Sequence, residues 1–264
     1  MKSLSKCFVR ACTQRYQPLG FYRDKTTFTR MRGDVLQTFS LDRSQYVPTC
    51  TVYFGIIPLC KSEPIHFGGT YTLDRFVVEQ QAQYGGWPFE PGSDESIETC
   101  VGQLCEAIDL YLLPFFEKCG DCGQALAELL KLEELFECNR QKALYISGIT
   151  DRAAPLQVRS LFDHYKYYMA LKAHDYPYIQ RFLKNQVNHY ESSLRSFEQP
   201  SGRQPESVKE RFRAARVEYT QLLERFEAGD YDYFDDMVKA NESRTLEFLA
   251  SYHPKILNSK SQKE

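Results

Sequence analysis

The closest pair of reactive side chains is Cys119-Gly120-Asp121-Cys122, a thiol spacing shared with dithiol redox sites. In such sites the first thiol gains acidity from the N-terminus of the helix that follows. Motifs of that kind follow a β-strand, whereas this one follows a helical pattern, so the spacing reads as reduced thiols in a helix turn. A zinc site would need two further ligands, and Cys100 and Cys105 are available. Five residues apart on one helix, they point about 140° from one another. Cys138 reaches them only if its own helix folds back. No metal is expected from Cys100, Cys105, Cys119 and Cys122, and no cofactor is expected elsewhere.

Asp230, Asp232, Asp235 and Asp236 form an acidic cluster without the central glycine and terminal glutamate of a calcium loop. Acids in the first turn of a helix are stabilised by its dipole, which accounts for them. The five histidines, His66, His164, His174, His189 and His253, make no i,i+4 metal pair. None sits beside a Ser or Cys in a nucleophile elbow. Gly68-Gly69-Thr70 and Gly85-Gly86 are too short to cradle a phosphate, and no lysine follows them. Arg23, Lys25, Arg30, Arg32 and Arg43 alternate with Tyr22, Phe28, Phe39 and Tyr46. Gathered on one sheet face, those five bases would be a candidate binding surface, able to meet phosphates while aromatic rings stack on bases. On a sheet edge they would instead block strand addition.

The elements that must hold these residues can be read from periodicity. Leu4, Phe8, Ala11 and Cys12 share one helical face, so Met1 to Tyr16 reads as a first structural helix rather than an export signal. Phe21 to Arg23, Thr26 to Met31, Asp34 to Leu41 and Thr49 to Ile57 are rich in β-branched and aromatic residues, with turn signals between them. Short connections make such strands antiparallel. Leu73 to Tyr84 is a further strand or a short helix, and Gly85 to Gly92 is a loop with aromatic anchors. From Ser93 onward the pattern is helical: Ser93 to Lys118, bent or ended early by Pro114, and then Gln124 to Arg140. Two hairpins follow, Pro155–Lys172 with Tyr176–Phe197, and Pro205–Glu227 with Tyr231–Ser251, joined by the polar stretch 199–205. Ala173-His174-Asp175-Tyr176-Pro177-Tyr178 matches Ala228-Gly229-Asp230-Tyr231-Asp232-Tyr233, which predicts that Asp175 and Asp230 each cap a helix. The expected class is α+β: an N-terminal antiparallel sheet with helices over residues 1–118, then a helical hairpin array over 119–264.

Composition fits a globular chain. Of 264 residues, 42% are hydrophobic and 14% aromatic, which is ample apolar surface to offset chain entropy. The net charge of −2 gives no whole-molecule attraction to nucleic acid or anionic lipid. Its distribution is uneven: residues 1–61 carry ten bases and three acids, and residues 62–150 carry five bases and fifteen acids. Opposite charges of that size can draw one part of the chain onto another, or onto a charged partner. The longest apolar run, Ile108 to Phe116, is short for a membrane span and contains Asp109 and Pro114, so no membrane is expected. Nine cysteines in apolar, helical contexts fit a reducing, cytoplasmic setting.

Pro18-Leu19-Gly20-Phe21, then Phe28-Thr29-Arg30, Gly33-Asp34-Val35-Leu36-Gln37 and Val52-Tyr53-Phe54-Gly55, resemble a bacterial domain-of-unknown-function family. Its members open with a helix, a "PLGF" entry to the sheet and an "F-x-R-x-x-G-D-x-x-Q" hairpin. The resemblance covers about residues 1–117 and departs near Trp87, where members carry a fuller tryptophan motif. It implies an α+β domain, a bacterial source and a cytoplasmic location, and it transfers no activity. With no acid/base pair, nucleophile or metal constellation in view, the expected function is non-enzymatic: an immunity- or regulatory-type protein whose partner is another protein. The alternative is an enzyme or binder acting on nucleic acid or a small polar substrate in a groove between sheet and helices.

Overall fold

The computed structural model describes residues 3–62, 71–73, 86–146, 159–199 and 204–258. Helix α1 (Leu4–Tyr16) buries Leu4, Cys7, Phe8, Cys12 and Tyr16, the stripe its spacing predicts. A 3-10 turn, Gln17–Leu19, ends at Gly20, whose φ of 86° is left-handed and re-aims the chain into the sheet. Strands β1 (Tyr22–Asp24), β2 (Thr27–Arg32), β3 (Val35–Arg43) and β4 (Thr49–Pro58) form an antiparallel meander in that order. The two short strands β5 (Tyr71–Thr72) and β6 (Trp87–Pro88) both pair with the free edge of β4, β6 where that strand starts and β5 at its middle. The expected loop around Trp87 therefore contributes a strand, and residues 74–85 of the expected element before it lie outside the described residues.

Register aligns Phe28 with Phe39 and Phe39 with Phe54, so three phenylalanines cross the sheet on one face. The first two rings stack 5.1 Å apart. Phe8 meets this row edge-on from α1, and Phe115 and Phe116 meet it from the helices that follow. Those helices are α2 (Asp94–Ala107), a π-helical stretch Ile108–Leu112, and α3 (Leu113–Glu117). Ser93 caps α2 by accepting from the Ser96 N–H. The wide turn just ahead of Pro114 moves the preceding carbonyls off the proline ring, so the helix passes Pro114 without stopping. Asp94–Glu117 is also the one described helical stretch long and apolar enough to cross a membrane, and half of its apolar window is buried inside the protein.

Beyond it run α4 (Cys122–Ile146), α5 (Arg159–Ala173), α6 (Tyr176–Phe197), α7 (Glu206–Glu227), α8 (Tyr231–Tyr252) and α9 (Pro254–Asn258). The architecture is α+β, with an antiparallel sheet first and a helical array after it. Of the two expected hairpins the first forms, with α5 against α6, but α7 and α8 do not pack along each other. Helix α7 lies along α6, and α8 packs against α5 and α9. The stretch 199–205 therefore links the two helices of the closest-packed pair, and residues 200–203 of it lie outside the described ones. Val208, Phe212, Ala215, Tyr219, Leu222 and Phe226 recur at alternating steps of three and four, a coiled-coil stripe that needs a facing helix. It finds α6, where Phe197 meets Phe212 at 5.0 Å and Tyr190 stacks on Tyr219 at 5.6 Å.

One buried cluster runs from Leu4 to Val238 and includes Cys119, Cys122, Ala125, Leu126 and Leu129, so the core continues across residue 118. The opposite sheet face holds Met31, Leu36 and Ile57, which pack against Leu249 of α8 and Ile256 of α9. Helices thus cover the sheet on both sides. The uneven charge is partly consumed inside the molecule: Arg15 meets Asp109 at 2.7 Å, and Arg30 and Arg32 meet Glu117 at 2.6 and 3.1 Å.

Candidate functional site

The five bases read as a binding surface are sent to separate places. Arg23 and Lys25 are exposed on the outermost strand and its turn. Arg43 is exposed at the far end of β3, its guanidinium 5.3 Å from the Phe89 ring. Arg32 is half-buried beside Glu117. Arg30 is 4% exposed, which removes it from any surface. Its guanidinium lies 4.6 Å from the Phe21 ring and donates to Gln37 Oε1, Glu117 Oε1 and the Leu19 carbonyl. Burial pulls the Arg30 guanidinium below its usual value, and Glu117 opposes the shift.

Around Arg30 the motif residues of the first hairpin converge on the turn between α3 and α4. Gln37 is fully buried and donates from Nε2 to the carbonyls of Phe116 (2.5 Å) and Cys119 (2.9 Å). The Phe116 carbonyl also accepts from the Cys119 N–H at 3.0 Å, so it is the Cys119 carbonyl that depends on Gln37. Asp34 Oδ1 accepts from the Cys122 N–H at 2.7 Å, so the β2–β3 turn supplies a cap for α4. Gly33 has φ of 53°, and a Cβ there would stand 2.3 Å from the Gly120 carbonyl oxygen. Only glycine fits, for conformation and for space. The arrangement is a polar clasp with its members satisfied by one another, and its chemistry is structural.

The four thiols considered for a metal do not converge. Cys100 Sγ lies 3.4 Å from Cys50 Sγ. Cys105 lies beside Cys12, and Cys122 lies beside Cys60 and donates to the Asp34 carbonyl at 3.8 Å. Cys119 is buried, and burial pushes its thiol up to about 12. Among the described residues no group of three or more His, Cys, Asp or Glu side chains is placed to hold a metal ion.

Sequence reasoning missed a charged cluster at the junction of β5 with α4, α5 and α6. Lys166 is buried, and its Nζ lies 2.7 Å from Glu133 Oε2 and 3.1 Å from Asp163 Oδ1. Tyr71 donates to the same Glu133 at 3.1 Å. Burial pulls the Lys166 amine down, but Tyr178, Glu133 and Asp163 together outweigh it and hold the amine above its ordinary value. A lysine kept protonated in this way is an ionic latch and not a nucleophile. The five residues, from Tyr71 to Tyr178, are scattered over more than a hundred positions on a strand and three helices, so no local pattern announces them.

The two matching turns lie side by side. His174 (φ 54°) and Gly229 (φ 77°) take the same left-handed step. Asp175 Oδ1 accepts from the Tyr178 N–H at 3.1 Å, the expected cap. Asp230 makes no such bond and instead accepts from Arg225 at 2.7 Å. Tyr176 and Tyr231 stack across the two turns with ring centroids 4.5 Å apart. The Arg225 guanidinium lies 4.4 Å from the Tyr233 ring, and His174 Nδ1 is 3.7 Å from Asp235 Oδ1. Tyr176, Tyr231 and Tyr233 each remain 38–39% exposed. Asp232 and Asp236 flank them in the open.

Comparison with protein-family models, with curated proteins and with solved structures found no match.

Proposed function

We propose that the chain is a non-enzymatic binding protein whose paired turns, at the α5–α6 and α7–α8 junctions, engage another protein. The observation that carries this reading is the set of exposed tyrosines on those turns, held in place before any partner arrives. Tyrosine and arginine dominate the energetics of protein interfaces because they offer large contact area at little conformational cost. Here Tyr176 and Tyr231 stack on each other, and Arg225 is fixed between Asp230 and the Tyr233 ring. Asp232, Asp235 and Asp236 supply an acidic rim, so the fitting partner presents Arg or Lys around an apolar patch. An immunity- or regulatory-type role in the cytoplasm agrees with this, since such proteins act by occupying a surface. The alternative of nucleic acid in a groove between sheet and helices has less support, because the bases are dispersed and Arg30 is interior.

The test is affinity capture from the native cell with the intact chain and with Tyr231→Ala and Tyr233→Ala together. The reading expects a protein retained by the intact chain and lost from the double variant, while the variant keeps its circular dichroism and melts cooperatively. An unchanged set of captured proteins, or capture of nucleic acid alone, overturns it.

A further inference from the structure

Six of the described cysteines stand in three pairs, each joining two different elements. Cys50 of β4 faces Cys100 of α2, with the sulfurs 3.4 Å apart. Cys12 of α1 lies beside Cys105 of α2, and Cys60, just past β4, lies beside Cys122 at the start of α4. All six are buried. Buried structural thiols behave as small apolar groups and have no reason to seek one another. Pairing in three separate places, with Cys119 left out although it is three residues from Cys122, is a different arrangement.

We propose that the fold encodes three disulfides, Cys50–Cys100, Cys12–Cys105 and Cys60–Cys122, formed when the chain folds in the presence of a disulfide oxidant such as oxidised glutathione. One protein thiolate attacks the oxidant's S–S bond and releases one thiol, leaving a mixed disulfide. The paired cysteine then attacks the protein-side sulfur and expels the second thiol. Two protein S–H groups and one oxidant disulfide become one protein disulfide and two thiols. Within the first pair the two sulfurs are already 3.4 Å apart, so once either has formed the mixed disulfide the other is placed to attack it. The closed chain segments, running from residue 50 to 100, 12 to 105 and 60 to 122, are long, and long closures restrict the unfolded chain most. The three bonds would tie α1, α2 and α4 to one another and to β4, the strand that carries most of the sheet's pairing.

The full chain is unfolded and reduced in urea, then refolded with and without a mixture of reduced and oxidised glutathione, and free thiols are trapped by alkylation. Because the thiols are buried, refolding gives the oxidant access that the folded state denies. The expected product is lighter by about 2 Da per disulfide, about 6 Da in all, and melts at a higher temperature than the reduced chain. Chymotrypsin can cut between Cys50 and Cys60 at Tyr53 or Phe54, and between Cys100 and Cys105 at Leu104. A protease that cuts before aspartate separates Cys119 from Cys122 at Asp121, and peptide mapping then identifies each partner. Cys100→Ala should lose the Cys50 link and keep the other two; if that variant fails to fold, Cys50→Ser serves the same purpose. Refolded protein with Cys50 and Cys100 still alkylatable, or with either joined to another cysteine, overturns the proposal.

Discussion

Asp175 and Asp230 occupy the same place in two turns of similar sequence, yet only Asp175 bonds to a backbone N–H. The difference comes from one neighbour. Arg225, a turn before Asp230, takes its carboxylate at 2.7 Å and holds it away from the start of α8. Asp175→Ala should therefore cost about 0.5–2 kcal/mol, the usual worth of an N-cap. Asp230→Ala removes an ion pair whose partners are 50% and 40% exposed, and after solvent screening such pairs contribute about 0–1 kcal/mol. Urea denaturation of the two variants should rank Asp175→Ala as the more destabilised, and the reverse order would mean that the Arg225 bond matters more than the cap. A third turn supports the reading, since Asp121 Oδ1 accepts from the Gln124 N–H at 2.8 Å and caps α4 as Asp175 caps α6.

Between elements, the β2–β3 hairpin acts as the mount for α4. Gln37 carries that contact, because its amide reaches two carbonyls that close α3 while its own oxygen accepts from Arg30. Gln37→Ala leaves the Cys119 carbonyl and one guanidinium N–H buried without partners, at about 1–3 kcal/mol for each unsatisfied group. Hydrogen exchange should then speed up at the amides of residues 119–125, ahead of any change in the sheet. Uniform acceleration throughout the chain would show that Gln37 serves the core in general rather than this junction. The helix pair α6–α7 follows a different rule. Its outer parts bury little beyond each other's aromatic stripe, so it stands on self-complementary 3-4 spacing and needs no mount.

For the molecule as a whole, stability is tied to buried phenols. Burial holds Tyr16, Tyr71 and Tyr167 well above the ordinary tyrosine range and pushes Tyr178 up to about 12. Folded values above the unfolded one mean that the contribution is fully present below about pH 10 and is lost as pH climbs through the folded values. Lys166, also raised, acts in the same direction, because its ion pairs with Glu133 and Asp163 vanish once the amine is neutral. The chain should accordingly lose stability steeply above about pH 10, with the last part of the tyrosinate absorbance appearing only as circular dichroism is lost. Absorbance from all eighteen tyrosines in a chain that stays folded would place these four at the surface.

What the sequence by itself determined is the local part: the helix from Leu4, the four-strand meander, the cap at Ser93 and the repeated turns. Each depends on periodicity, propensity or one nearby hydrogen bond, and those act over a few residues. Tertiary structure alone decided that α7 lies on α6 and not on α8, because an apolar stripe says that a partner is needed without saying which one. It also decided the fate of the chemistry-bearing residues. Arg30 has the composition of a binding residue and the position of a core strut, since alternation put it on the covered face beside Phe28. The spacing of Cys119 and Cys122 reads as thiols of one helix turn, whereas packing places Cys122 beside Cys60 and Cys100 beside Cys50. Tyr176 and Tyr231, fifty-five residues apart in sequence, meet only because two turns of the same left-handed step come to rest side by side. Contacts between distant segments are set by how whole faces fill space, and no short stretch of residues contains that information.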